Sequence, residues 1–356
     1  MVGQSILNVF LLLLGFVLLV KGADFFVDGA SGIAKKLKVS TFIIGVTVVA
    51  LGTSAPEAAV TIMDAAAGSG ELIVGNILGS NIINILLILG VSAVICNLPV
   101  EKTTRMIDLP FLLFISALFI LLGFLGNSFT WWEGIILLVL YFAYMAYNVV
   151  FAVKQSKLQL EEAHTVCAME ASAEAAEPQQ IKGWYANLKA KYEALQDKVW
   201  FLIVITIVGL AMVVGGAQLV VSSAEFIARD LLKIPSEIVA LTVVAFGTSL
   251  PELVTSVSAA RKGDVGIATG NIIGSNIANL LLIGGLGAVC KGTLGLPFST
   301  EGLVSGAVAL VAAIIIFVSS FGKKKCIGRA AGIIMLSCLV IYYAFIFLNL
   351  YVFNIY

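Results

Sequence analysis

The chain has few charged residues and almost no histidine. Of its 356 residues, 21 are Lys or Arg, 21 are Asp or Glu, and only His164 is a histidine. A soluble globular domain carries charge on about 25% of its residues, roughly twice the 12% found here, so an ordinary soluble protein is excluded. The formal net charge is zero, and nothing in this balance indicates a nucleic-acid partner.

Cysteine is also scarce, and its spacing shows no metal or disulfide pattern. The five cysteines are Cys96, Cys167, Cys290, Cys326 and Cys338. No two of them form the CxxC pair that is typical of zinc or redox sites. The apolar segments contain no histidine and no Ser/Lys or paired Asp set, which argues against an intramembrane hydrolase. The sequence therefore predicts that the protein is not an enzyme and has no cofactor.

Long hydrophobic runs make up most of the chain, and hydrophobic residues account for 60% of it. A helix that crosses a bilayer needs roughly 20 apolar residues. Ten runs qualify: 4–20, 41–66, 72–96, 109–126, 131–153, 199–221, 237–260, 265–290, 302–321 and 329–350. The predicted fold class is an all-α integral membrane protein with ten transmembrane helices, and its non-protein partner is the lipid bilayer.

Residues 154–198 differ from the rest because they are rich in Lys and Glu. This composition predicts a solvated linker between a first half, residues 1–153, and a second half, residues 199–356. Each half holds five predicted helices. Since an odd number of crossings reverses the direction of the chain, the second half enters the membrane upside down, and the two halves form inverted five-helix repeats.

The distribution of Lys and Arg predicts the orientation of the chain. Eighteen of the 21 lie in the linker or in loops on the same side of the membrane, and only Arg229, Lys233 and Lys291 lie on the other side. Positive residues gather on the cytoplasmic side of membrane proteins. The sequence therefore predicts a cytoplasmic linker and places both termini outside.

Two motifs occur twice, 195 residues apart. GTSAPE at 52–57 returns as GTSLPE at 247–252, and GNILGSNIIN at 75–84 returns as GNIIGSNIAN at 270–279. They fall in the second, third, seventh and eighth predicted helices. The repeated units therefore span about residues 41–96 and 237–290.

The first motif places Glu57 in one half and Glu252 in the other, inside apolar helices. An ionised carboxylate is costly there unless a cation meets it, and the helices contain essentially no interior Lys or Arg. Pro56 and Pro251 cannot donate to the carbonyl four residues earlier, so each should free an oxygen. Carbonyl, hydroxyl and carboxylate oxygens suit hard cations such as Ca²⁺. The motif therefore predicts a cation site shared by both halves.

The second motif places polar side chains every four residues along one helical face. They are Asn76, Ser80 and Asn84 in the third helix and Asn271, Ser275 and Asn279 in the eighth. Glycines at the same spacing form small-xxx-small pairs that let a neighbouring backbone approach closely. These glycines are Gly75, Gly79, Gly270 and Gly274. Close approach would bring the two serines to the broken helices.

At these residues the chain resembles the cation/calcium antiporter superfamily, in particular the prokaryotic sodium/calcium exchangers, whose two alpha repeats carry GTSxPE and GNxxGSNxxN. The resemblance implies that helices two, three, seven and eight enclose the ions and that helices one and six form a long pair that slides across this core. It also implies exchange of Ca²⁺ for Na⁺ by alternating access in the inner membrane of a prokaryote. We expect a monomer to be sufficient.

The resemblance further implies a set of ion ligands, with Glu57 and Glu252 shared at the centre. The remaining ligands would be the carbonyls of Ala50, Thr53, Ala245 and Thr248, the hydroxyls of Ser54, Ser80, Ser249 and Ser275, and the amides of Asn84 and Asn279 at the middle position. Relatives often carry aspartate at the second of these amide positions. Asn279 therefore argues against potassium co-transport and removes one possible proton carrier.

Two alternatives remain open at this point. A proton/calcium antiporter, or another Na⁺- or H⁺-coupled divalent cation exchanger, could use the same site, because protonation of both glutamates also neutralises it. A Na⁺-coupled solute symporter would need a second pocket for an organic substrate. No Arg or aromatic cluster beside the motifs offers one.

Overall fold

The structure is a computed structural model that describes residues 2–67, 71–167, 195, 198–227, 245–322 and 325–348. Within these ranges the chain is almost entirely helical, and two-residue strands join some of the loops. Helices satisfy their backbone hydrogen bonds internally, which is what a chain of long apolar runs requires in lipid.

The helices are numbered one to ten in chain order, following the sequence prediction. In the first half, helix one is Val2–Leu37, helix two is Thr41–Thr53 and Ala55–Ala67, helix three is Glu71–Ile82, Ile83–Leu89 and Gly90–Ile95, helix four is Thr104–Gly126 and helix five is Trp131–Cys167. In the second half, helix six is Val199–Phe226, the described part of helix seven is Ala245–Thr248 and Leu250–Lys262, helix eight is Val265–Ala278, Asn279–Ile283 and Gly284–Lys291, helix nine is Thr300–Ser320 and helix ten is Arg329–Leu348.

Eight helices in the described ranges are long and apolar enough to cross a bilayer. Helix two is a ninth if its two segments, which meet at an angle of 43°, are taken as one span. The predicted start of helix seven, residues 237–244, lies outside the described residues. The count of spans in the described part of the chain therefore agrees with nine of the ten predicted helices.

Some helices continue beyond the ends that hydrophobicity predicts. Helix one is predicted at 4–20 but continues to Leu37, and helix five continues into the predicted linker as far as Cys167. The added turns of helix one carry charged side chains, which end the apolar run without ending the helix. One of them is satisfied within the protein, because Lys262 Nζ lies 2.8 Å from Asp28 Oδ1.

Helices one and six form a closely packed antiparallel pair. Glycines recur every seven residues on both helices, including Gly15 and Gly22 on helix one and Gly209 and Gly216 on helix six. A Cβ atom on Gly216 would lie 2.8 Å from the carbonyl oxygen of Gly15, and one on Gly209 would collide with the backbone of Phe26. The two backbones are therefore in contact along the seam.

Two short antiparallel strand pairs connect loops of opposite halves. Leu98–Pro99 pairs with Cys326–Ile327, and Ser128–Phe129 pairs with Leu296–Pro297. The first pair joins the loop between helices three and four to the loop between helices nine and ten. In the repeat relation, the loop between helices three and four corresponds to the loop between helices eight and nine, and the loop between helices nine and ten corresponds to the loop between helices four and five. These corresponding loops carry the second strand pair. The strand pairs thus obey the same repeat relation as the motifs.

Helix eight packs directly on helix two through its small residues. A Cβ atom on Gly270 would lie 2.5 Å from the carbonyl oxygen of Phe42, and one on Gly274 would lie 2.6 Å from that of Val46. This contact confirms the small-xxx-small prediction for the second half. In the first half, no described atom lies within 4 Å of a Cβ atom on Gly75; the corresponding segment, 237–244, lies outside the described residues.

We predict that Gly216→Ala destabilises the protein by about 1–3 kcal/mol, because the added methyl group overpacks the seam against the backbone of helix one. Gly215→Ala is the matched control, since nothing described lies within 4 Å of a Cβ atom there. Alanine favours the helix by about 1 kcal/mol over glycine, so the control should melt at the same or a higher temperature. Thermal unfolding of both variants in detergent tests this, and equal melting temperatures would argue against a tight seam.

Candidate cation site

Helices two and seven are each broken at a serine just before their glutamate. Ser54 (φ −82°, ψ 8°) separates the two segments of helix two, and Ser249 (φ −89°, ψ 4°) separates those of helix seven. The next segment starts at once, with Pro56 or Pro251 in its first turn, where a missing N–H costs no hydrogen bond. The predicted proline breaks are therefore present.

The break does not lie at the glycines that open the first motif. Gly52 and Gly247 are still helical, and the chain departs from the helix two residues later. Their role is to make room for helix six. A Cβ atom on Gly52 would lie 2.9 Å from Leu210 Cδ2, and one on Gly247 would collide with the side chain of Val221. Side chains of helix six therefore pack on the last helical turn before each break.

The breaks bring the two glutamates together in the interior. Glu57 is 1% exposed and Glu252 is 0% exposed. The carboxylate of Glu57 interacts electrostatically with that of Glu252 and neighbours the hydroxyls of Thr248 and Ser80. Ser54 Oγ donates a hydrogen bond to Glu252 Oε1 at 3.1 Å. Each carboxylate thus meets hydroxyls from the opposite half.

No buried cationic side chain is found beside these carboxylates in the described ranges. The two buried cationic residues there, Arg105 and Lys291, lie in the first turn of helix four and the last turn of helix eight. The guanidinium of Arg105 donates to the carbonyl oxygen of Ser320 at 3.3 Å. The prediction that the core lacks an interior Lys or Arg agrees with this placement.

Most of the predicted side-chain ligands end in buried oxygens without a hydrogen-bond partner in the described part of the chain. These atoms are Glu57 Oε1 and Oε2, Glu252 Oε2, Ser80 Oγ, Ser249 Oγ, Ser275 Oγ, Asn84 Oδ1 and Asn279 Oδ1. Buried polar groups in proteins are ordinarily paired. A cluster of unpaired oxygens around two carboxylates is suited to a cation that takes carboxylate, hydroxyl and amide oxygens as ligands.

The predicted carbonyl ligands lie next to the breaks. Ala50 and Thr53 are the first and last residues of the short segment before Ser54, and Ala245 and Thr248 hold the same places before Ser249. The carbonyl oxygen of Ala50 accepts hydrogen bonds from the Ser54 amide at 3.0 Å and from Thr53 Oγ1 at 3.4 Å. The side chain of Ala245 lies outside the described residues.

The middle-position amides coincide with widened helical turns. Asn84 lies in the π-helical turn Ile83–Leu89 of helix three, and Asn279 begins the π-helical turn Asn279–Ile283 of helix eight. Both side chains are buried. π-Helical turns are often found at functional sites, and here they occur at equivalent positions of the two repeats. Hydrophobic periodicity alone does not reveal them.

Asn271 also contacts residues of the site. The sequence prediction placed Asn271 on the polar stripe of helix eight but did not include it among the ion ligands. Its Oδ1 accepts a hydrogen bond from Thr53 Oγ1 at 2.9 Å, and its Nδ2 donates to Ser256 Oγ at 2.9 Å. Nδ2 also lies 3.5 Å from the carbonyl oxygen of Glu252. One amide on helix eight therefore ties helix two to helix seven at the level of the glutamates.

Comparison with known families identifies the chain. The family model described as "Sodium/calcium exchanger protein" matches residues 7–150 and 201–348. The chain belongs to this family. Its two matched ranges contain the two repeats with their glutamates.

Relatives and solved structures of the sodium/calcium exchanger family match nearly the whole chain. The sodium/calcium exchanger MaX1 of Methanosarcina acetivorans is 35% identical, over 97% of this chain and 99% of its own. The putative antiporter CaxA of Alkalimonas amylolytica is 34% identical, over 94% of this chain and 97% of its own. A structure of the sodium-calcium exchanger NCX_Mj superposes with a TM-score of 0.75 at 34% identity, covering 96% of this chain and 99% of that one.

The structural match confirms the predicted fold class. The protein is an all-α, multi-pass membrane protein of the sodium/calcium exchanger fold, and ten helices in two inverted repeats are consistent with that fold. The resemblance drawn from the two repeated motifs is confirmed by the family match as well.

We predict that Asn271→Ala destabilises the protein by about 1–3 kcal/mol, because it removes the buried hydrogen bonds of the amide to Thr53 Oγ1 and Ser256 Oγ. Asn148→Ala is the matched control. Asn148 is also buried, but its Nδ2 donates to the carbonyl oxygen of Tyr144, one turn away on the same helix. Asn271→Ala should therefore melt at a lower temperature than the control in detergent. Similar melting temperatures would show that Asn271 does not join the helices.

Proposed function

We propose that the protein is a secondary active antiporter that exchanges Ca²⁺ for Na⁺ across the membrane by alternating access. The observation that carries the proposal is the pairing of two fully buried glutamates from opposite halves. Their oxygens lie among hydroxyls and amides, and most have no protein partner among the described residues. The family match and the named exchangers among the relatives support the same function.

Charge balance accounts for the coupling. Two carboxylates supply about two negative charges, which balance one Ca²⁺ or most of the charge of several Na⁺ ions. Both loads therefore compete for one set of oxygens. An occupied core is nearly neutral, whereas an empty core carries uncompensated charge, which costs at least several kcal/mol in hydrocarbon. The protein can therefore switch between its outward-facing and inward-facing states when the site holds ions, and it resists this switch when the site is empty. This difference gives exchange without leak.

We assign Glu57 and Glu252 as the shared ligands and keep the rest of the predicted set. It comprises the side chains of Ser54, Ser80, Ser249, Ser275, Asn84 and Asn279 and the carbonyls of Ala50, Thr53, Ala245 and Thr248. The burial and missing partners of most of these side-chain oxygens support the assignment. The transported ions are Ca²⁺ and Na⁺, and the set contains none of the nucleophile and base pairs that an enzyme would need.

The movement that changes access is assigned to the pair of helices one and six. Leu210 and Val221 of helix six pack on Gly52 and Gly247, two residues before the breaks, so a shift of the pair uncovers one side of the site. The seam inside the pair is closely packed and resists separation. Contacts of helix one with helix seven include polar, partly exposed ones such as Lys262 with Asp28, which water can replace.

The orientation and the division of the chain are part of the same proposal. A cytoplasmic linker at 154–198 and external termini account for the lopsided Lys and Arg distribution. The division into halves at 1–153 and 199–356 is supported by the matched family ranges, 7–150 and 201–348, which flank the linker. The protein is placed in the inner membrane of a prokaryote and works as a monomer.

A proton/calcium antiporter, or another divalent cation exchanger coupled to Na⁺ or H⁺, is the second candidate. The observation in its favour is that the same two carboxylates can be neutralised by protons. It differs from the first candidate only in the counter-ion. The middle-position amides, which cannot carry protons, favour Na⁺.

We predict that purified protein in proteoliposomes takes up ⁴⁵Ca²⁺ when the vesicles are loaded with Na⁺ and diluted into Na⁺-free buffer. A pH gradient of either direction, imposed without Na⁺, should drive no uptake above that of empty vesicles. The measurement is the initial rate under separate Na⁺, K⁺ and H⁺ gradients. Uptake that follows the pH gradient alone would select the proton-coupled alternative.

We predict that Glu57→Gln and Glu252→Gln each reduce Na⁺-driven ⁴⁵Ca²⁺ uptake to background, because a single carboxylate cannot balance a divalent load. Glu133→Gln is the matched control. Glu133 is also buried, but its Oε2 accepts hydrogen bonds from the amide and hydroxyl of Thr130, away from the motifs. The control should retain uptake. Persistent uptake in either motif variant, with folding verified by gel filtration, would contradict the assignment.

A further inference from the structure

Asn81, in the second motif, has no role in the predicted ligand set, yet it bridges to helix eight through two hydrogen bonds. Its Nδ2 donates to the carbonyl oxygen of Asn276 at 3.2 Å. Its Oδ1 accepts from Nδ2 of Asn279 at 3.0 Å. All three residues are almost completely buried. The amide of Asn81 is therefore held at both ends by the opposite half of the protein.

This bridge decides how Asn279 is oriented. A side-chain amide has an oxygen end, which can bind a cation, and an NH₂ end, which cannot. The NH₂ group of Asn279 is engaged by Asn81, so its Oδ1 must face the other way. That oxygen is buried and has no hydrogen-bond partner among the described residues.

The equivalent bridge is absent in the other half, as far as the structure describes it. Repeat symmetry would have Asn84 donate to Asn276. Instead, Nδ2 of Asn276 donates to the carbonyl oxygen of Ile272 on its own helix at 2.6 Å. Oδ1 of Asn276 and both amide atoms of Asn84 have no partner within the described ranges. One middle-position amide is therefore oriented by the protein and the other is not.

We propose that Asn81 is a positioning residue for cation binding: it holds the amide of Asn279 so that the oxygen, and not the NH₂ group, faces the ion. The proposal rests on the proposed function, because it takes Asn279 as a cation ligand. Without the bridge, the amide of Asn279 can rotate and present its NH₂ group, and part of the protein is then unable to bind. The weakened step is ion binding, while the transport step itself is retained.

The test is a double-mutant cycle between Asn81→Ala and Asn279→Asp. Loss of an orienting hydrogen bond worth about 1.4 kcal/mol corresponds to about a tenfold change in binding. In the parent protein, Asn81→Ala should therefore raise the half-saturating concentration of at least one of Na⁺ and Ca²⁺ about tenfold, with little change in the maximal rate. The two oxygens of a carboxylate are equivalent, so Asp at position 279 cannot be presented the wrong way round. In the Asn279→Asp background, Asn81→Ala should change affinity by less than threefold.

A purely structural role for Asn81 predicts a different result, because a packing defect would weaken binding by the same factor in both backgrounds. Equal factors, or unchanged affinity in Asn81→Ala, would overturn the proposal. Asn148→Ala, a buried amide outside the site, is the control and should leave both affinities unchanged. If Asn81→Ala does not fold, Asn81→Ser enters the same cycle, since its shorter side chain cannot span both partners.

A second measurement separates this proposal from the proposed function. Calorimetric titration of the purified variants with CaCl₂ and with NaCl reports binding without transport. If the parent binds the cations but shows no Na⁺-driven uptake, the antiport proposal fails and the cycle is read from the binding constants. If the parent transports and the cycle is additive, only the role of Asn81 is rejected.

Discussion

The central physical constraint is the placement of two carboxylates side by side in a membrane interior that offers no buried cationic side chain, among the residues described, to balance them. Water cannot solvate them there, and their mutual repulsion adds to the cost of burial. A mobile cation relieves both costs at once. The hydroxyls and amides around Glu57 and Glu252 are therefore suited to the inner shell of an ion site and would be poor packing for an ordinary core.

The surrounding architecture follows from the need to build that site from helices. Proline in the first turn after each break starts a new helix and places the glutamate at its beginning. Small residues then let helix eight contact the backbone of helix two, which brings hydroxyls of one half to the carboxylate of the other. Asn271 completes the arrangement by bonding to both broken helices. Close packing and polar bonding thus serve the same end, which is a rigid core.

Inverted repeats supply the two carboxylates, but they do not make the two halves identical. The strand pairs and the π-helical turns at Asn84 and Asn279 obey the repeat relation, while the amide network does not. Asn279 is held by Asn81, and Asn84 has no equivalent restraint among the described residues. In any one conformation of an inverted-repeat transporter the two halves differ in structure, since the site is open to one side of the membrane and closed to the other. Local asymmetry in a pseudo-symmetric core is the expected consequence.

Hydrophobic runs, the charged linker and the repeated motifs are enough to predict the membrane fold, the inverted halves, the broken helices and the two central glutamates, because these depend on composition and on local backbone chemistry. Long-range packing decides the rest. Helix one extends to Leu37 because its charged turns find partners on helix seven. The glycines of the first motif make room for side chains of helix six, and the helices break two residues later, at Ser54 and Ser249. The orientation of Asn279 depends on Asn81, almost two hundred residues away in the chain, and two copies of one motif cannot reveal which copy makes that bond.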